Sequence, residues 1–102
     1  MLSTVPLDVD AQLLADPLRA RIAALLAAET MCTCYLVEES GARQTTVSHH
    51  LRLLREAGWV ETESCGRFTY YRLRPEPLRA LSGELGVLAD ATSRTNGRRR
   101  PC

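Results

Sequence analysis

Between Gln44 and Ala57 the apolar residues Val47, Leu51 and Leu54 recur at i, i+4 and i+7, the period of a helix with one buried stripe. At about 100° per residue the opposite face carries Thr45, His49, Arg52 and Glu56, with Ser48 beside them. Gly58 stops this helix, and Gly41 stops a shorter one predicted over Tyr35–Ser40, because glycine enters the left-handed backbone region without steric cost. A short helix, a glycine turn and a longer helix with a polar outer face make the helix-turn-helix pattern, in which the second helix lies in the DNA major groove.

The same reading extends both ways along the chain. Upstream, Asp16-Pro17 marks a helix start, Asp as the cap and Pro at the first helical position. Leu18, Ile22, Leu25 and Leu26 then form a stripe, and Ala23, Ala24, Ala27 and Ala28 keep helix propensity high. This helix is expected at the centre of the core, with Arg19 and Arg21 solvated. A shorter helix is predicted over Asp8–Ala15, with Val9, Leu13 and Leu14 as its apolar positions. Downstream the period changes to two. Val60, Thr62 and Ser64 mark one strand, Phe68–Leu73 its aromatic-rich partner, and Cys65-Gly66-Arg67 the turn between them. Pro75 and Pro77 open a last helix to about Ala91, where Leu78, Leu81, Leu85 and Leu88 form a heptad-like seam. Such a seam on a terminal helix predicts a partner helix. With the first helix it reads as a dimer interface, the alternative being packing within one subunit.

The predicted fold is therefore mainly α with a small β-hairpin: a dimeric winged helix-turn-helix. Residues 1–7 read as a flexible arm, 8–92 as the DNA-binding and dimerisation domain, and 93–102 as a disordered basic tail. The length of 102 residues allows one domain and one modest core. A net charge of +1 does not announce a nucleic-acid binder, but the distribution says more: all 13 basic side chains are Arg, the residue suited to forked contacts with phosphate and guanine. No apolar run is long enough to span a membrane and the N-terminus lacks the pattern of a signal peptide. A cytoplasmic location is expected, with the four cysteines as thiols.

TVSHHLRLLREAGWV resembles the recognition helix of the ArsR/SmtB family, small winged-helix repressors that sense arsenic and metals. Met31-Cys32-Thr33-Cys34-Tyr35-Leu36 resembles the Cys-x-Cys segment by which the arsenic-responsive branch binds its inducer. The resemblance covers roughly residues 10 to 92. It implies a homodimeric repressor, not an enzyme and without a required cofactor, released from double-stranded operator DNA by As(III) or Sb(III). Response to Cd(II) or Pb(II), or thiol-based redox sensing, are the alternatives. A thiol reductase is disfavoured, because no Cys-x-x-Cys is present.

Two thiolates close in sequence suit a soft ion. On spacing alone, Cys32 and Cys34 read equally as such a site and as two small buried thiols; the resemblance favours the site. Residues i and i+2 of a regular helix point about 200° apart, so ligation of one ion requires this turn to be non-helical or to be pulled out of helix. In the arsenic repressors this chain resembles, a further Cys can follow three residues after the pair; here Val37 stands there. Cys102, on the tail, ranks above Cys65, at the wing turn, as a third metal ligand, with hydroxide or a small thiol as the other possibilities. The zinc-responsive branch carries His and Asp on its last helix. Here that helix offers Asp90 and Glu84 but no His, which disfavours a zinc sensor of that type.

Thr45, Ser48, His49 and Arg52 are the predicted DNA-contacting residues, joined by Gln44 at the helix start and Arg67 at the wing. His50 falls at the edge of the buried stripe and is expected to pack or bond backbone rather than read a base. Many relatives carry Ser where this chain has Arg43, which cannot cap the helix. Arg98, Arg99 and Arg100 are expected to add salt-sensitive, non-specific attraction.

Overall fold

The computed structural model describes residues 9–95 and 98–101, with side chains from Ala11 onward. The elements run α1 (Val9–Leu13), α2 (Pro17–Ala28), β1 (Met31–Cys32), α3 (Thr33–Ser40), α4 (Gln44–Glu56), β2 (Val60–Cys65), β3 (Phe68–Leu73) and α5 (Pro75–Thr95). The arm predicted over residues 1–7 and the terminal Cys102 lie outside the described residues.

Local chemistry sets the element ends. Asp16 is extended and its carboxylate accepts from the Arg19 amide at 3.0 Å, capping α2 as Pro17 opens it. Gly41 adopts φ 73° and its amide donates to the Val37 carbonyl, closing α3. The three residues Gly41, Ala42 and Arg43 then turn the chain into α4. At the other end of α4, Gly58 has φ 80°. There the Trp59 amide donates to the Leu54 carbonyl and the Gly58 amide to that of Arg55, the two bonds of a Schellman stop.

The core lies under the helix-turn-helix. Ile22 and Leu26 of α2, Leu36 of α3, and Val47, Leu51 and Leu54 of α4 pack with Trp59 and Val60. Leu13 of α1 and Leu81 of α5 join the same cluster. The stripes at helical period are thus the buried faces, as the spacing requires. Along α5 burial stops after Leu81: Leu85 and Leu88, on one side of the helix, are 52% and 42% exposed, and Val87, about 100° round from Leu88, is 52% exposed.

Three features depart from the sequence expectation. First, the hairpin is part of a three-stranded antiparallel sheet in the order β1-β3-β2, with Met31 opposite Tyr71 and Cys32 opposite Tyr70. A strand of two residues carries no readable alternation. Second, α3 begins at Thr33, directly after Cys32, rather than at Tyr35. Third, α5 continues to Thr95, past Ala91. No Gly or Pro interrupts 92–95, and the Thr92 and Thr95 hydroxyls donate to the Leu88 and Thr92 carbonyls within the helix.

Candidate functional site

Helix α4 presents two faces of different chemistry. Val47, His50, Leu51 and Leu54 are buried, while Gln44, Thr45, Ser48, His49 and Arg52 are exposed. Arg52 Nη2 donates to His49 Nδ1 at 3.2 Å, so the two side chains stand together on the outer face. Thr46 and Arg55, exposed on the same helix, widen this polar surface beyond the residues named from sequence. Arg43 is extended and makes no side-chain cap bond, leaving the first amides of α4 open to an acceptor such as phosphate. Arg67 is exposed in the β2–β3 turn, beside Gly66 at φ 63°. Exposed polar side chains, helix-start amides and Arg are the donor types that phosphate and base contacts use in general.

A polar anchor holds the middle of α4 from behind. His50, 7% exposed, is the buried polar residue of this core. Arg19 Nη1 donates to His50 Nδ1 at 3.1 Å, and His50 Nε2 lies 3.8 Å from the Asp16 carboxylate. Arg19 also donates through Nε to the Leu13 carbonyl at 2.6 Å and through Nη2 to that of Gln12 at 3.2 Å. Guanidinium has no acceptor, so Nδ1 must be unprotonated and the ring neutral in this arrangement. Burial holds the His50 pKa below its ordinary value; Asp16 pulls it the other way, and Arg19 and His49 reinforce the depression. Arg19, expected in solvent, is therefore the link between α1, α2 and the reading helix. Arg21 is also engaged, donating to the Glu39 carbonyl at 3.2 Å. Neither contact has a sequence signal, because each joins residues far apart in the chain.

The cysteine pair sits where the sheet meets the helix-turn-helix. Cys32 ends β1 with φ −86° and ψ 168°, and Cys34 lies in the first turn of α3. The helical geometry that would point the two side chains apart is thus broken at Cys32. Cys32 is buried and Cys34 exposed, yet both line one hollow of about 270 Å³, walled by Tyr35, Phe68 and Tyr70. Burial raises the Tyr70 hydroxyl pKa, and Cys32, Cys65, Tyr35 and Cys34 add to the rise. Cys65 pairs with Phe68 across the hairpin. Paired residues point to one face, so Cys65 shares the sheet face of Tyr70 and Cys32, nearer than a wing-turn position implied. Strand β3 nevertheless stands between Cys65 and the pair. Among the described residues, no three His, Cys, Asp or Glu side chains gather closely enough to hold a metal ion. Cys102, the third ligand named from sequence, lies outside them. Phe68 and Tyr70 carry no sequence signal for the site, since only the register of β1 on β3 brings them to the cysteines.

The comparisons agree with this architecture. Residues 16–62 match the family described as bacterial regulatory protein, arsR family. The chain is 39% identical over 79 residues to the arsenic resistance transcriptional regulator of Pseudomonas putida, covering 76% of this chain and 62% of that protein, so it spans about three fifths of that relative's length. It is 32% identical over 77 residues to the arsenical resistance operon repressor of Staphylococcus xylosus, covering 76% and 74% of the two chains. A crystal structure described as a possible transcriptional regulator for arsenical resistance superposes with a TM-score of 0.71 at 34% identity, over 78% of this chain and 82% of the other. No helix among the described residues is long and apolar enough to cross a membrane. With its winged helix-turn-helix and these relatives, the chain belongs to the ArsR family of bacterial regulatory proteins, whose members are transcriptional regulators and not enzymes.

Proposed function

We propose that this protein is a metalloid-responsive repressor that binds operator DNA as a homodimer and is released when As(III) or Sb(III) binds the thiolates of Cys32 and Cys34. The observation that carries the reading is the position of the pair. Cys32 is the last residue before α3 and Cys34 lies in its first turn, so an ion bridging the two sulfurs acts on the start of the helix that packs against α4. Arsenic relatives by name and a soft two-thiolate donor set point the same way.

In the free protein, α4 enters the major groove through Thr45, Ser48, His49 and Arg52. Gln44 and the open amides of the first turn meet phosphate, and Arg67 reaches the duplex from the wing. The α5 seam, exposed from Leu85 onward, pairs with its symmetry mate, together with α1, and sets the spacing of the two reading helices. Ion binding redirects the Cys32–Leu36 turn and misaligns them. An inducer must bind the released form better than the DNA-bound form, since equal affinity shifts nothing. Cys102 is the candidate for a third thiolate, reaching from the tail. As a DNA-binding regulator the protein acts in the cytoplasm.

The test is operator binding by fluorescence anisotropy, with the operator selected from a random duplex library and a phosphine in place of thiol reductant. As(III) and Sb(III) are expected to release the DNA, with Cd(II) and Pb(II) as weaker inducers and Zn(II) without effect. Retention of the operator at saturating amounts of every thiophilic ion contradicts the proposal.

A further inference from the structure

We infer that His49 is a positioning residue of the DNA-reading face, holding the Arg52 guanidinium so that its forked donor edge reads a guanine in each half-site of the operator. The inference rests on the reading of α4 as the helix that enters the major groove, and it assigns what two of its side chains do there. Two residues stand at helical spacing to take the guanidinium, His49 three positions before Arg52 and Glu56 four positions after. Arg52 turns to the first: its Nη2 donates to His49 Nδ1 at 3.2 Å, and no ion pair with Glu56 forms among the described residues. An acid that follows its base along a helix is the weaker order of such a pair. The guanidinium therefore leans toward the N-terminal half of α4, where Thr45 and Ser48 are exposed and where a reading helix meets base edges.

The bond also fixes where the hydrogens are. Guanidinium only donates, so His49 Nδ1 carries no proton and, in the neutral ring, Nε2 does. Nη2 of Arg52 has a second N–H, parallel to that of Nε on one side or of Nη1 on the other. Whichever Nη2 hydrogen His49 takes, one parallel pair remains free. The two side chains together thus present donors and no acceptor. In the major groove guanine offers two neighbouring acceptors, O6 and N7, whereas adenine and cytosine place an amino donor there and thymine a methyl group.

His49 is itself backed by the core. Its ring lies 5.4 Å, centroid to centroid, from that of His50, tilted by 57°. His50 is buried and accepts from Arg19. A contact chain therefore runs from Arg19 through His50 and His49 to Arg52. An Arg side chain surrenders much rotamer freedom when a base fixes it. Holding it beforehand against a ring seated on the core lowers that cost.

The test uses the full chain and an operator selected by it from a random duplex library. Each half-site guanine is replaced in turn by 7-deazaguanine, which keeps base pairing and removes the N7 acceptor. At one guanine per half-site the change is expected to weaken wild type by about fivefold or more and to cost Arg52→Ala nothing further. His49→Asn, whose amide oxygen stands where Nδ1 stood, should keep most of that dependence. His49→Gln, whose amide reaches instead to the place of Nε2, and His49→Ala should lose it, all three with the wild-type melting temperature. Absence of any guanine coupled to Arg52, or any other order of the three His49 variants, overturns the inference while α4 stays in the groove; Gln above Asn would mark a His49 that reads a base itself. If Arg52→Ala and His49→Ala both bind the operator with full affinity, α4 is not the reading helix and the inference falls with that reading.

Discussion

Replacing His50 by Ala removes the anchor behind the reading helix, and its cost follows from the contacts it makes. The ring is 7% exposed and accepts from the Arg19 guanidinium at 3.1 Å. A hydrogen bond to a charged group contributes about 1.5–3 kcal/mol. Arg19 keeps its bonds to the Leu13 and Gln12 carbonyls, and Asp16 keeps the Arg19 amide, so neither partner is orphaned and the expected loss is about 2 kcal/mol. For a domain of this size that is a fall in Tm on the order of 10 °C. The pH dependence has a definite sign. Burial depresses the folded-state pKa of His50, so the unfolded chain takes up the proton first, near pH 6.5. The contribution of the neutral ring is complete above that value and is lost as pH falls through the lower folded-state pKa. The stability gap between wild type and His50→Ala should therefore be largest above about pH 7 and close on acidification. Urea unfolding at matched protein concentration measures it, because the proposed dimerisation would make stability concentration-dependent. A gap below about 0.5 kcal/mol at neutral pH, smaller than a typical net hydrogen bond, or one constant down to pH 5, refutes the reasoning.

The other expectations concern the DNA face, the seam and the turn. Arg52→Ala and His49→Ala, on the exposed face of α4, should each weaken operator binding by about 1–3 kcal/mol with unchanged thermal stability; full affinity in both removes α4 from the groove. Leu85→Glu, on the exposed part of the α5 seam, should yield a monomer in sedimentation and lose tight operator binding together, and a stable dimer after this change places the interface elsewhere. Gly41→Ala should cost about 1–2 kcal/mol, from the left-handed backbone alone, because an added Cβ meets nothing within 4 Å; an unchanged melting temperature contradicts the turn geometry.

What the sequence disclosed and what it hid divide along contact range. The Val47-Leu51-Leu54 stripe, the Asp16 cap and the Gly41 and Gly58 stops are local signals, and each element they mark is present. Burial of His50 followed from its place beside that stripe. The partner of His50 did not, because Arg19 lies 31 residues away and nothing in its own helix pattern separates an anchoring Arg from a solvated one. The same holds at the cysteines. Their spacing and neighbours are visible in the chain, but the two-residue strand that places Cys32 against Tyr70 depends on a pairing made only in the folded state. Val37, the position where the family resemblance would have led one to expect a third Cys, is half-buried in α3 and packed against the core. That departure from the family pattern is what leaves the third coordination position to be assigned by experiment.

The most direct test of the account is operator release by As(III) in wild type, Cys32→Ser and Cys34→Ser, measured side by side without dithiol. Both variants should bind the operator like wild type, because Ser is nearly isosteric and the free protein needs no ion. Wild type should weaken by roughly 5- to 150-fold at saturating As(III), the range of a coupling of about 1–3 kcal/mol. Each variant should show no release at that concentration, since a neutral hydroxyl is a poor ligand for a soft ion. Release of both variants at the wild-type As(III) concentration contradicts the account and moves the sensing site away from the Cys32–Cys34 turn.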